Sequence, residues 1–205
     1  MLIRRGQHAP TVDESARVAS TARLIGNVTV GPRAYIDHGT VIESAGPPVR
    51  IGAGAIVLAN SVVRSVGGEH RPSFAAAIGA GTLISPLCAL AGSHIGDDCY
   101  VATGVILLQG ARVGAGTRVG ARALVHAGAV LGEESRVGMG SFAVPSPQGT
   151  VVTADVERAR ELVAAADFFG RAFGVDAPSQ REVHRQAVDA LRDELLEAED
   201  REIDG

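Results

Sequence analysis

The stretch Ile95–Ala143 decides the fold; in blocks of six it reads IGDDCY VATGVI LLQGAR VGAGTR VGARAL VHAGAV LGEESR VGMGSF A. The first position of every block is apolar: Ile95, Val101, Leu107, Val113, Val119, Val125, Leu131, Val137 and Ala143. A helix cannot align these positions, because six residues rotate it by about 600°. Short extended strands joined by tight turns can align them, since alternate side chains of a strand share a face. The period therefore predicts stacked short strands.

The same lattice continues upstream, so the repeat covers roughly residues 10–150. Three blocks close a triangular coil, and stacked coils bury a continuous aliphatic core. Such a core needs few rings, which agrees with an aromatic content of only 3%. Chains with this period resemble the hexapeptide-repeat family, whose coils form a left-handed parallel β-helix. We therefore predict an all-β solenoid of this kind over residues 1–150.

Two interruptions and a change of period complete the predicted organisation. Ser44–Arg50 and Ser65–Ala77 break the six-residue lattice, and the glycines and proline of the second indicate a loop ejected from a coil corner. Beyond residue 150, apolar residues recur at helical spacing. We predict a C-terminal α-helical segment over residues 151–205, with one helix over about 153–174 and a second over about 179–200.

Composition narrows the classes of function. A net charge of −4 gives no reason to expect a nucleic-acid partner. All 19 basic residues are arginine, which excludes Schiff-base chemistry by lysine. The sequence contains no apolar run of about 18 residues, no signal segment and no cysteine framework. We expect a cytoplasmic protein with no nucleic-acid or membrane partner.

Four local motifs carry a closer family resemblance. In chain order they are VRIG at Val49–Gly52, NSVVR at Asn60–Arg64, IGAG at Ile78–Gly81 and LAGSHIGDD at Leu90–Asp98. The last contains a hexad that is one residue short, from Leu90 to Ile95, and it is the most distinctive of the four. In order and spacing the chain resembles the gamma-class carbonic anhydrases.

This resemblance implies a particular assembly and chemistry. Members of that family are homotrimers with a zinc ion at each subunit boundary. Three histidines hold the metal, two from one chain and the third from its neighbour. The metal lowers the pKa of a bound water, so that hydroxide forms near neutral pH.

The zinc ligands do not carry over to this sequence. The positions that match the three family histidines are Arg64, Pro86 and Ala91. Arginine stays protonated, and proline and alanine have no donor side chain. We therefore expect no zinc at the usual site and no other cofactor, and carbonic anhydrase activity is not expected.

The polar surroundings of that site are also replaced. Glu43 stands where the family has arginine, Leu58 and Ala59 stand where it has glutamine and aspartate, and only Asn60 is retained. Three hexads per coil predict that Glu43 and Arg64 lie side by side as an ion pair, about 4.8 Å apart along the stack. The cleft is predicted either to be sealed between subunits or to be remodelled for a less polar ligand.

Three histidines are the weak catalytic candidates. His70 lies on the longer interruption and could reach a neighbouring site; His94 lies in the shortened hexad and could act as a general base. His126 lies on the same column as Arg64, two coils beyond Ala91. For each, a surface, turn or interface role is the simpler interpretation. Cys88 occupies an inward position and is predicted to pack in the core, as is Cys99.

Three functions stay open at this point. The first is a gamma-carbonic-anhydrase-like homotrimer that acts as a zinc-independent enzyme, or as a binding or structural homologue with a small-molecule ligand at the subunit boundary. The second is a hexapeptide acyltransferase, for which coenzyme A would be the cofactor. The third is a non-catalytic trimeric scaffold or a subunit that assembles with an active paralogue. The residues do not decide whether the protein is an enzyme.

Overall fold

Residues 1–68, 71–196, 198 and 200–203 are described in a computed structural model of the chain. They form a left-handed parallel β-solenoid of eight coils, which confirms the fold class predicted from the six-residue period. Each coil contributes a short strand to each of three faces, apart from the incomplete final coil. The helices follow the last coil.

The strands of each face pair in parallel with those of the next coil. The first face comprises Leu2–Arg5, Arg23–Ile25, Val41–Glu43, Val62–Arg64, Ala89–Ala91, Ile106–Leu107, Leu124–Val125 and Phe142–Ser146. The second face comprises Thr11–Val12, Val28–Val30, Val49–Ile51, Ala76–Ile78, His94–Ile95, Arg112–Val113 and Val130–Leu131. The third face comprises Arg17–Val18, Tyr35–Ile36, Ile56–Val57, Leu83–Ile84, Tyr100–Val101, Arg118–Val119 and Arg136–Val137.

The core is the stack of first positions of the hexads. On the first face the paired, inward residues are Ile42, Val63, Leu90, Leu107 and Val125. Each is at most 2% exposed. Identical spacing in every coil brings aliphatic side chains directly above one another, so burial is continuous along the axis.

The two cysteines belong to this core. Cys88 is 2% exposed and Cys99 is 3% exposed, as their inward positions predict. Burial raises the pKa of both thiols, which keeps them protonated. They therefore act as small core residues.

Among the described residues, three antiparallel strand pairs extend the solenoid. Val66–Gly68 pairs with Arg71–Phe74, so the longer interruption contains an antiparallel strand pair. Gly149–Thr153 folds back on the last strand of the first face. Near the end of the chain, Asp200–Glu202 pairs with the first strand, Leu2–Arg5. This last pairing brings the two ends of the described chain together.

The described residues beyond the solenoid form three helices, where the sequence predicted two. They are α1, Val156–Ala165; α2, Phe168–Phe173; and α3, Gln180–Leu196. The first predicted helix is divided because Asp167 adopts a left-handed φ of 43° and its side chain accepts a hydrogen bond from the amide of Gly170. Asp167 thus begins a new helix. Among the described residues, no helix is long and apolar enough to cross a membrane.

Candidate functional site

The strand register places Arg64 between Glu43 and Ala91 on the first face. Backbone pairing of Val62–Arg64 with both neighbouring strands fixes this arrangement. All three side chains point outward and are half-buried. The column that the hexad count predicted is therefore present.

Glu43 is held chiefly by Arg5. Arg5 Nη1 donates to Glu43 Oε1 at 2.6 Å, whereas Arg64 Nε lies 3.9 Å from Glu43 Oε2. Among the described residues, Arg64 Nε has no hydrogen-bond partner. The predicted ion pair of Glu43 and Arg64 is present, but it is longer than the ion pair of Glu43 with Arg5.

The same arginine connects Glu43 to the end of the chain. Arg5 Nε and Nη2 donate to the two carboxylate oxygens of Asp200 at 2.7 and 2.8 Å, a bidentate pair. Hydrogen bonds from this guanidinium lower the pKa of the Asp200 carboxyl, and the same bonds raise the pKa of Arg5. Sequence reasoning missed Arg5 and Asp200, because no local pattern links residues 195 positions apart.

The other positions of the family's site lie at the corner between the third and first faces. Leu58 and Ala59 precede the exposed Asn60, whose φ is +57°. In the next coil Pro86 is half-buried, and the amide of Leu87 donates to the carbonyl of Ala59 at 3.1 Å. This corner offers apolar side chains and backbone groups.

A zinc ion does not fit these residues. At the three ligand positions, Arg64 contributes a fixed positive charge, and Pro86 and Ala91 contribute no ligand atom. Across the described part of the chain, no three His, Cys, Asp or Glu side chains cluster as a metal site.

One of the three candidate histidines lies away from this column. His94 lies in a strand of the second face, beside Arg112 in the next coil. Burial lowers its pKa and the charge of Arg112 lowers it further. His70 lies outside the described residues.

His126 lies on the column, and the helices cover it. It is 4% exposed, and its ring meets the ring of Phe168 edge to face at a centroid distance of 5.7 Å. Burial lowers the pKa of His126. The histidine lines a groove of about 670 Å³ between the first face and the helices. The sequence identified the residue but not the groove.

Comparisons with known proteins agree with this architecture. A family model described as the hexapeptide repeat of succinyl-transferase matches residues 110–142. Gamma carbonic anhydrase 1, mitochondrial, of Arabidopsis thaliana is 31% identical over 109 residues. Gamma carbonic anhydrase 2, mitochondrial, of the same organism is 28% identical over 109 residues. Each alignment covers 51% of this chain and 38% of the relative, so the chain matches well under half the length of these curated relatives.

A solved structure extends the likeness over nearly the whole chain. A Bacillus cereus protein provisionally described as an acetyltransferase has a TM-score of 0.50 at 18% identity. It covers 91% of this chain and 94% of its own. At that identity the likeness shows the fold. The chain thus has the fold of the hexapeptide-repeat proteins, and over about half its length its sequence is similar to two gamma-class carbonic anhydrases.

Proposed function

We propose that this chain is a zinc-independent, trimeric counterpart of the gamma-class carbonic anhydrases. It does not hydrate carbon dioxide, and its former zinc cleft is closed by packing between subunits. The protein then serves as a binding or structural homologue. The observation that carries this proposal is the position of Arg64.

Arg64 replaces a metal ligand with a permanent cation. Its backbone is in register with Glu43 on one side and Ala91 on the other. Glu43 is already neutralised by Arg5 at 2.6 Å. A divalent cation at this point would face the guanidinium of Arg64 without a histidine to bind it, and like charges at such range repel.

Apolar side chains on the same face support the subunit contact. Val62 and Ile106 lie outward on either side of Ala89, and they are 39% and 40% exposed. Leu87, at the adjacent corner, is 61% exposed. A strip of large exposed aliphatic side chains is typical of a surface that a partner covers. We propose that this partner is a second copy of the chain.

The activity is tested by stopped-flow hydration of carbon dioxide with the purified protein in zinc-containing buffer. We expect no rate above the uncatalysed reaction. As a control for lost folding, circular dichroism and light scattering are recorded on the same sample. A hydration rate that depends on protein and is abolished by a zinc chelator would refute the proposal.

The assembly is tested by Leu87→Asp, which places a charge in the apolar strip. We expect light scattering to give a trimer for the natural sequence and a smaller species for the variant. Val130→Asp, an equally exposed position on the second face at 56%, is the matched control and should leave the trimer intact. A monomeric natural protein, or equal effects of the two variants, would contradict the assembly.

The acyltransferase alternative makes an opposite prediction. Such an enzyme must bind an acyl thioester, so it predicts saturable binding of coenzyme A. We expect none in calorimetric titration. Saturable binding of coenzyme A would favour the acyltransferase over the zinc-independent homologue.

A further inference from the structure

The groove at the C-terminal end of the solenoid has the dimensions of a ligand site. Its floor is formed by the outward side chains of Leu108, Leu124 and Phe142 on the first face. Its walls are formed by Val163 of α1, Phe168 of α2 and Val183 of α3. A volume of about 670 Å³ lies within the usual range for small-molecule sites.

His126 is a buried polar group at the base of this largely apolar groove, whose described lining also includes the exposed Asp167, Asp176 and Gln180. The residue is 4% exposed, and within the described structure its Nδ1 is buried without a hydrogen-bond partner. A buried polar atom left unpaired costs about 1–3 kcal/mol, so natural structures rarely leave one. The imidazole lines the groove, so a ligand hydroxyl bound against it, with a small rotation of the ring, would supply the missing partner.

Charge restricts what such a ligand carries. Burial lowers the pKa of His126; the backbone of Ala127 raises it in part and the charge of Arg171 lowers it again, so the net shift is downward and the imidazole is neutral at pH 7. The described residues that line the groove include two exposed carboxylates, Asp167 and Asp176, and no arginine. Charges of both signs border the groove, with Asp167 and Asp176 in its lining and Arg171 near its base, so a ligand of either sign would meet at least one group of like charge. An uncharged ligand avoids this repulsion.

We propose that this groove binds an uncharged, largely apolar small molecule through one hydroxyl group that pairs with His126. The site is separate from the former zinc cleft, because His126 lies three coils beyond Arg64 along the first face. The inference therefore does not depend on the proposed function. It assigns the groove a ligand, not a reaction.

Equilibrium dialysis with 2-naphthol tests the proposal. This probe has an apolar body, one hydroxyl and no charge at pH 7. We expect saturable binding, and we expect 2-naphthoate, which has the same rings and a negative charge, to bind at least tenfold more weakly. No saturable binding of 2-naphthol, or equal binding of the two probes, would overturn the proposal.

Variants locate the binding in the groove. Val163→Trp fills it from the exposed face of α1 and should weaken 2-naphthol binding at least tenfold. Val156→Trp, on the same helix but outside the groove, is the matched control and should leave the affinity unchanged. Equal losses in the two variants would show that the probe binds elsewhere, which would refute the assignment.

His126→Phe tests the hydrogen bond. We expect about a fivefold loss of 2-naphthol affinity, as one hydrogen bond of about 1 kcal/mol implies. Binding of 2-methylnaphthalene, which has no hydroxyl, should not fall. Equal losses for both probes would refute the role of His126, and Val163→Trp still tests the groove if this variant does not fold.

Discussion

Replacing Glu43 by glutamine removes one charge from the cluster of Arg5, Glu43 and Arg64 on the first face while keeping the length of the side chain. Glu43 accepts a charge-assisted hydrogen bond from Arg5 at 2.6 Å, and both side chains are only 19% exposed. Hydrogen bonds to charged groups contribute about 1.5–3 kcal/mol. Because one fifth of each side chain meets water, the loss falls below the ~3–5 kcal/mol of a fully buried pair. We expect Glu43→Gln to lower the free energy of unfolding by about 2 kcal/mol.

The assay is urea unfolding of Glu43→Gln, Arg5→Met and the double variant at one protein concentration. The double-mutant cycle isolates the coupling between the two side chains from their other contacts. A matched control is the pair Glu157 and Arg160 on α1, which is equally short at 2.7 Å but 76% and 71% exposed. We expect a coupling of about 0.5 kcal/mol or less for the control.

The comparison between the two cycles decides the result. If burial strengthens the ion pair, the coupling energy between Glu43 and Arg5 exceeds that between Glu157 and Arg160 by more than about 1 kcal/mol, since exposed pairs contribute little. A coupling no larger than the control would refute the reasoning. Glu43 and Arg5 would then contribute to stability independently, despite their short contact.

Two further predictions concern the ends and the corners of the solenoid. Arg5 lowers the pKa of Asp200 below its unfolded value of about 3.9, so this contact stabilises the fold above that pH and is lost as pH falls through the lower folded pKa. In melting curves from pH 7 to pH 2, the difference between the natural protein and Asp200→Asn should therefore vanish at the acid end, and a difference that grows toward acid would contradict it. Gly92→Ala should destabilise more than Gly140→Ala by at least about 1 kcal/mol in urea unfolding. Both glycines have a left-handed φ, but a Cβ on Gly92 would come within 2.5 Å of the Phe74 Cβ, whereas a Cβ on Gly140 would meet open space. Equal losses of stability would show that Phe74 moves aside without a measurable loss of stability, which would contradict the prediction.

The fold was predictable because its determinant is local and repeated. Each hexad has an apolar residue at the same position, so the pairing of Val63 with Ile42 and Leu90 follows from counting three hexads per coil. The outward neighbours follow by the same count, which is why Glu43 and Arg64 were expected side by side. The six-residue period therefore specifies which residues are neighbours in successive coils of the solenoid.

Contacts that cross the repeat were not predictable in this way. Arg5 meets Asp200 only because the last strand returns to the first, and nothing in either segment marks the other. The break in the first predicted helix depends on the backbone of Asp167, which the helical spacing of apolar residues conceals. The groove beside His126 requires three helices to pack against one face, and amphipathic spacing does not specify which face they meet.

The zinc content of the purified protein tests the central proposal most directly. The protein is produced in zinc-supplemented medium, desalted, and analysed for zinc per subunit by mass spectrometry. With Arg64, Pro86 and Ala91 at the ligand positions, we expect zinc far below stoichiometric amounts. Stoichiometric zinc that survives desalting would contradict the account, because it would require a metal site that these residues cannot form.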